Sequence, residues 1–163
     1  MSKRTGVHLE ASAIWDLFYG EPGANLVELC LSSDEMNCLT SVWTRLEVTH
    51  AVKKRMNQEE TSHDEGRDLL EFIDTQLGRL SRRGRLTECP VTEDLVSRAR
   101  EIVVSHNLYA SDALHLATAF AYGCKAMLVD DYHFRRWGRD IATADLCISP
   151  VTLQPGDLAK KLG

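Results

Sequence analysis

Carboxylates stand at four places in this chain where chemistry is readily built. Glu10 closes an apolar run, Glu47 lies inside an amphipathic stretch, Asp112 opens another, and Asp130 with Asp131 ends a further apolar run. Gathered in one place, such acids repel one another, and the cluster is tolerable only when a cation offsets its charge. Oxygen donors without paired cysteines or several histidines suit Mg²⁺ or Mn²⁺ better than zinc. Each acid also has a local alternative. Thr44 and Glu47 spell the T-x-x-E of a capping box. Asp112 behind Ser111 could favour a helix start through the dipole, Asp130 and Asp131 suit a turn, and Glu10 could be a solvated acid at a strand end. His50 and His115 fall within helical patterns, where a lone imidazole is more often packed or solvated than a base.

The elements that would have to position these acids follow from periodicity and breakers. GVHLEAS predicts a strand, AIWDLFYGEPGA a short helix stopped by Gly20 and Pro22, NLVELCL a second helical stretch, and MNCLTS a second strand. From Val42 to Met56 the apolar positions predict a helix ending in the basic run Lys53, Lys54 and Arg55. Leu69, Leu70, Phe72, Ile73, Leu77 and Leu80 recur at helical spacing in a long amphipathic helix. LTECPVT reads as a third strand, EDLVSRAREIVVSH and SDALHLATAFAYGC as two helices, the second closed by Gly123. KAMLVDD is a fourth strand, YHFRRWG a short helix and ADLCISP a fifth strand. Strands alternating with helices imply a parallel sheet with helices on both faces. In such sheets ligands gather at the carboxyl ends of the strands, where the strand order reverses. Glu10, Glu47 and the Asp130–Asp131 pair would then share that edge, and Asp112 can face the same cleft.

The 163 residues, 44% hydrophobic and 26% charged, fit one domain over 1–163 with a core sufficient without disulfides or a structural metal. No repeat or linker divides the chain. Cys30, Cys38, Cys89, Cys124 and Cys147 are scattered and never form a C-x-x-C pair, which argues for buried free thiols over a disulfide framework or zinc knuckle. Nineteen basic and 24 acidic side chains give a net charge of −5, so any attraction for a polyanion must be local. Two arginine clusters qualify. Arg79, Arg82, Arg83 and Arg85 end the long helix, where a solvated helix end is the alternative, and Arg135, Arg136 and Arg139 follow the last acid pair. Tyr132 and Trp137 could stack on bases, although packing is the commoner role. No apolar run approaches the roughly 20 residues of a membrane span, and the start lacks the features of a secretion signal. The expectation is a cytoplasmic protein.

The segments VHLEASAIWDLFYGEPGA, TRLEVTHAVKKR, LYASDALHLATAFAYGC and AMLVDDYHF together resemble the PIN-domain ribonucleases, most closely the VapC-type toxins of toxin–antitoxin pairs. The resemblance runs from about Val7 to Ile148, and SDALHLATAFAYG followed by LVDDYHF is its most specific part. It implies a three-layer α/β/α domain with a central parallel sheet of four or five strands. It further implies Mg²⁺- or Mn²⁺-dependent hydrolysis of RNA. The implied metal ligands are Glu10, Glu47, Asp112 and Asp131, with Ser12 as an outer partner and Asp130 as a second-choice ligand. Arg135, Arg136 and Arg139 become candidate RNA contacts. The stretches after Pro22 and from Leu69 to Leu80 would form an antitoxin groove and part of a homodimer face.

The chain departs from the family pattern at two positions. Glu10 stands where Asp is usual, and Val129 where Thr or Ser precedes the last acids. An added methylene moves a carboxylate by about an ångström, which can cost about a hundredfold in rate. The alternative these departures open is a PIN-like scaffold that binds RNA or a protein without cutting. A haloacid-type phosphatase or receiver domain also uses strand-end acids, but the first strand here ends in EAS rather than D-x-D or an acid pair.

Overall fold

Alternation along each short strand assigns the faces of the sheet. In the first strand, β1 (Thr5–Leu9), Val7 and Leu9 point to one side and His8 to the other, all three fully buried. The computed structural model describes residues 4–130 and the backbone of Cys147–Ile148. Within them the chain runs β1, α1 (Ala11–Tyr19), α2 (Ala24–Ser32), β2 (Met36–Ser41), α3 (Trp43–Asn57), α4 (His63–Arg82), β3 (Leu86–Cys89), α5 (Glu93–His106), α6 (Ala110–Ala121), β4 (Ala126–Leu128) and β5 (Cys147–Ile148). The expected short helix YHFRRWG lies outside the described residues.

All strand pairs are parallel, in the order β3-β2-β1-β4-β5. This is an α/β fold with a central parallel sheet, and it carries the five strands expected as the upper count. Val7, Leu9, Cys38, Ala126 and Leu128 form one core with α1, α2, α3 and α4. Leu39 and Met127, one residue out of phase, meet α5 and α6 on the opposite face. A strand covered on both faces must be apolar on both, and that explains the near-continuous apolar run AMLV.

Local chemistry sets several boundaries. Gly20 ends α1 in the left-handed region at φ +72°, and Gly123 follows α6 at φ +63°, where a side chain would be strained. Ser62 and Glu65 make the reciprocal bonds of a capping box at the start of α4. Arg45 of α3 grips both carboxylate oxygens of Glu88 on β3, at 2.6 and 2.7 Å, and also bonds Asp74 of α4. The fork ties α3 to its two neighbours. The four described cysteines are free and buried, and burial pushes the Cys30 thiol up to about 11 and that of Cys124 to about 12. Among the described residues no helix is long and apolar enough to cross a membrane.

Candidate metal centre

The sheet order reverses at β1, which has β2 on one side and β4 on the other, so a crevice opens beyond the carboxyl ends of β1 and β4. Leu9 pairs with Leu128 at the end of that ladder, and the Glu10 N–H donates to the Leu128 carbonyl at 3.0 Å. Glu10 and Asp130 therefore leave the sheet side by side. Ser12 joins them: its hydroxyl donates to Glu10 Oε2 and accepts the Asp130 N–H at 2.7 Å, while its own N–H bonds Glu10 Oε2 at 2.8 Å. Glu10 thus caps α1 with its side chain, buried rather than solvated.

Glu47 arrives from α3. Its Oε2 lies 2.6 Å from His115 Nε2, an atom 3.9 Å from Glu10 Oε1. The capping-box alternative for Thr44 and Glu47 is not realised, because α3 starts at Trp43 after Val42 and puts Thr44 at the second helical position. Thr44 bonds the Thr40 hydroxyl at 2.8 Å, and Thr40 donates to the Leu9 carbonyl at 2.7 Å. This pair of buried hydroxyls fixes the first turn of α3 against the residue preceding Glu10.

His115 is packed, as a helical histidine commonly is, yet its ring is the hub of the acids. On the other edge its Nδ1 meets His8 Nε2 at 2.9 Å. Burial alone would lower the His115 pKa, but the bond to Glu47 and the charges of Glu10, Glu47 and Asp112 outweigh it and raise the value. Burial and repulsion by His115 hold His8 well below the ordinary imidazole value. The pair is consistent with a charged His115 donating to a neutral His8, whose remaining proton sits on Nδ1, an atom without a partner among the described residues. Burial raises the Glu10 pKa against the opposing pull of His115 and Ser12. Asp112 lies in the first turn of α6, one turn before His115 and 7% exposed.

Of the sequence-derived candidates, Glu10, Ser12, Glu47, Asp112 and Asp130 thus gather about this edge; Asp131, Arg135, Arg136 and Arg139 lie outside the described residues. Arg83 and Arg85 border a different concavity, and Arg85 pairs with Asp34 at 2.7 Å. Sequence reasoning missed His8, Thr40, the site role of His115, and Asp16, whose buried carboxyl is raised to about 7 by burial and by the charges of Asp130, Glu21 and Glu10. The one local signal was the three-residue spacing of Asp112 and His115, which puts both on one helix face.

One ligand atom each from Glu10, Glu47 and His115 lies within 4.8 Å of the others. The two carboxylates suit a divalent cation with oxygen ligands at about 2.0–2.2 Å, and the charged His115 ring beside them offsets their charge in the cation's absence. Glu10 and Glu47 line a cleft of about 490 Å³, and His115 lies buried behind them. A second groove, of about 790 Å³, runs between α1, α2 and α4 and is lined by Leu17, Phe18, Leu31, Phe72 and Leu80.

The family profile of the PIN domain matches residues 7–140. Among solved structures, the chain is similar to one described as a toxin–antitoxin complex from Klebsiella pneumoniae, at 19% identity and a TM-score of 0.55, covering 88% of this chain and 97% of that one. It is also similar to VapBC2 from Rickettsia felis bound to a DNA fragment from their promoter, at 15% identity and a TM-score of 0.56, covering 82% and 93%. At these identities the likeness is one of fold. Among curated proteins, none matches the chain.

Proposed function

Because the chain belongs to the PIN-domain family, we propose that it is a Mg²⁺-dependent endoribonuclease that hydrolyses RNA phosphodiester bonds, the toxin of a type II toxin–antitoxin pair. The observation that carries this reading is the meeting of Glu10 and Glu47 over the buried His115 at the reversal of strand order, with both carboxylates lining a cleft. Glu10, Glu47, Asp112 and Asp131 hold the cation in this reading, with Asp130 as the alternate ligand. Mn²⁺ would serve in place of Mg²⁺.

A bound divalent ion supplies a water of lowered pKa and offsets charge building on the phosphate. The protein's part is positional. Ser12 fixes one oxygen of Glu10, and His115 fixes one oxygen of Glu47. The Thr40–Thr44 pair keeps their two elements in register. Arg135, Arg136 and Arg139 are assigned to RNA phosphates on sequence grounds alone.

The groove between α1, α2 and α4 suits an apolar helix of a small antitoxin, a reading supported by the toxin–antitoxin complexes among the structural relatives. A cytoplasmic homodimer completes the assignment.

Purified protein incubated with end-labelled RNA should cut in Mg²⁺ or Mn²⁺, stop in chelator, and lose cleavage in Asp112→Asn. Wild type that cuts with neither metal would favour the non-cutting scaffold. Glu10→Asp then separates the two outcomes: a rise of about a hundredfold marks a detuned site, and no change marks a scaffold.

A further inference from the structure

We propose that Lys54 and Arg55 of α3, with the ring of Trp15 on α1, form a subsite that grips single-stranded RNA about 11 Å from the carboxylates. This subsite rests on the nuclease reading above.

The cleft that holds Glu10 and Glu47 continues to Trp15, Lys54 and Arg55, so acids and cations share one trough. A single helix sets the spacing. Glu47, Lys54 and Arg55 stand at i, i+7 and i+8 on one face of α3. At 1.5 Å per residue the separation is about 11 Å, the length of about three stacked nucleotides at roughly 3.4 Å each. A chain of net charge −5 gives a polyanion no general attraction. Within this cleft, Lys54 and Arg55 are the cations among the described residues.

The Arg55 guanidinium is held in place. It donates to the Tyr19 hydroxyl at 3.0 Å and lies 4.1 Å over the Tyr19 ring and 5.4 Å from that of Trp15. The two rings are themselves stacked at 4.6 Å and 15°. A fork already ordered by stacking loses little freedom on meeting a phosphate. Glu60, 3.3 Å from Arg55, offsets part of its charge. Lys54 is exposed and has no ion pair among the described residues. Trp15 is half-buried against the core and borders the cleft, so a base can stack there only if it is unpaired. That selects a single strand over a duplex.

Cations in the last turn of α3 also favour its dipole, so the test must separate RNA binding from helix stability. Fluorescence anisotropy with a short labelled single-stranded RNA, in Ca²⁺ to limit cutting, reads affinity across a salt series. Lys54→Gln is expected to weaken binding and flatten the slope of log K against log salt by about 0.7. Trp15→Leu should weaken it by about fivefold or more. Glu60→Gln should tighten it, an effect that a purely structural role for Arg55 does not produce. Equal affinity and slope in wild type, Lys54→Gln and Glu60→Gln would overturn the subsite, as would absence of RNA binding by wild type. Binding that responds in this way in a protein that cuts with no metal would uphold the subsite and sink the nuclease reading. Cleavage with an unchanged KM in Lys54→Gln would do the reverse.

Discussion

Asp16 holds a carboxyl whose Oδ2 finds no hydrogen bond among the described residues, 4% exposed and beside Asp130, Glu21 and Glu10. Unfolded, it ionises near 3.8; folded, burial and its acidic neighbours raise it to about 7. A raised folded value means that the stability present below the unfolded pKa is lost as pH climbs towards the folded one. Asp16→Asn removes the charge and can donate to the nearby carboxylates. The substitution should therefore stabilise the protein by roughly 1–3 kcal/mol, with a gain that grows between about pH 4 and 7 and then levels off. Thermal melts in chelator across that range check it; a gain independent of pH would remove the electrostatic cause. Glu10 and Glu21 stand near Asp16 in the sequence, but nothing there marks the burial that chiefly raises it or the approach of Asp130 from far along the chain. His8 and His115 are hidden for the same reason, being 107 positions apart. Glu10 and Asp112 were legible as candidates because each sits at an element boundary, and Glu47 because it lies about one turn into the helix after β2; the strand order brings all three to one edge.

At the scale of elements, boundaries were legible wherever a period met a breaker. MNCLTS is β2 and EDLVSRAREIVVSH is α5 residue for residue, and Gly20 and Gly123 stop the helices they were expected to stop. Capping was not legible, because a T-x-x-E match says nothing about where the helix begins. Thr44 falls inside α3 and turns to Thr40, while Ser62 and Glu65 form the capping box of α4. That box starts the helix carrying Phe72, Ile73 and Leu77, and thus one wall of the larger groove. Ser62→Ala should cost about 1 kcal/mol, which for a chain of this length lowers the melting temperature by about 2–4 °C. Hydrogen exchange would localise the loss to the first turn of α4. Uniform loss of protection, or no change in melting, would contradict the assignment of the cap.

The whole molecule concentrates much of its electrostatic tension at a single edge of the sheet. In the metal-free chain the His115 ring counters Glu10 and Glu47, and those carboxylates hold its proton to higher pH than an ordinary imidazole would keep it. A divalent cation seeking the same oxygens meets that charged ring and is repelled by it. Raising the pH through the elevated His115 value removes the competing charge, so metal affinity should increase with pH in that interval. Binding to the folded chain alone contributes about 2.7 kcal/mol at a hundred times the dissociation constant, or about 5–10 °C in melting temperature at this chain length. Differential scanning fluorimetry with Mn²⁺ should show a shift that grows as the pH is raised above the ordinary imidazole value and is mostly absent in Glu47→Gln. An equal shift in Glu47→Gln would place the ion elsewhere. A shift that shrinks with pH would mean that His115 does not compete for the site, and would leave the neutralisation of Glu10 and Glu47 without its internal cation.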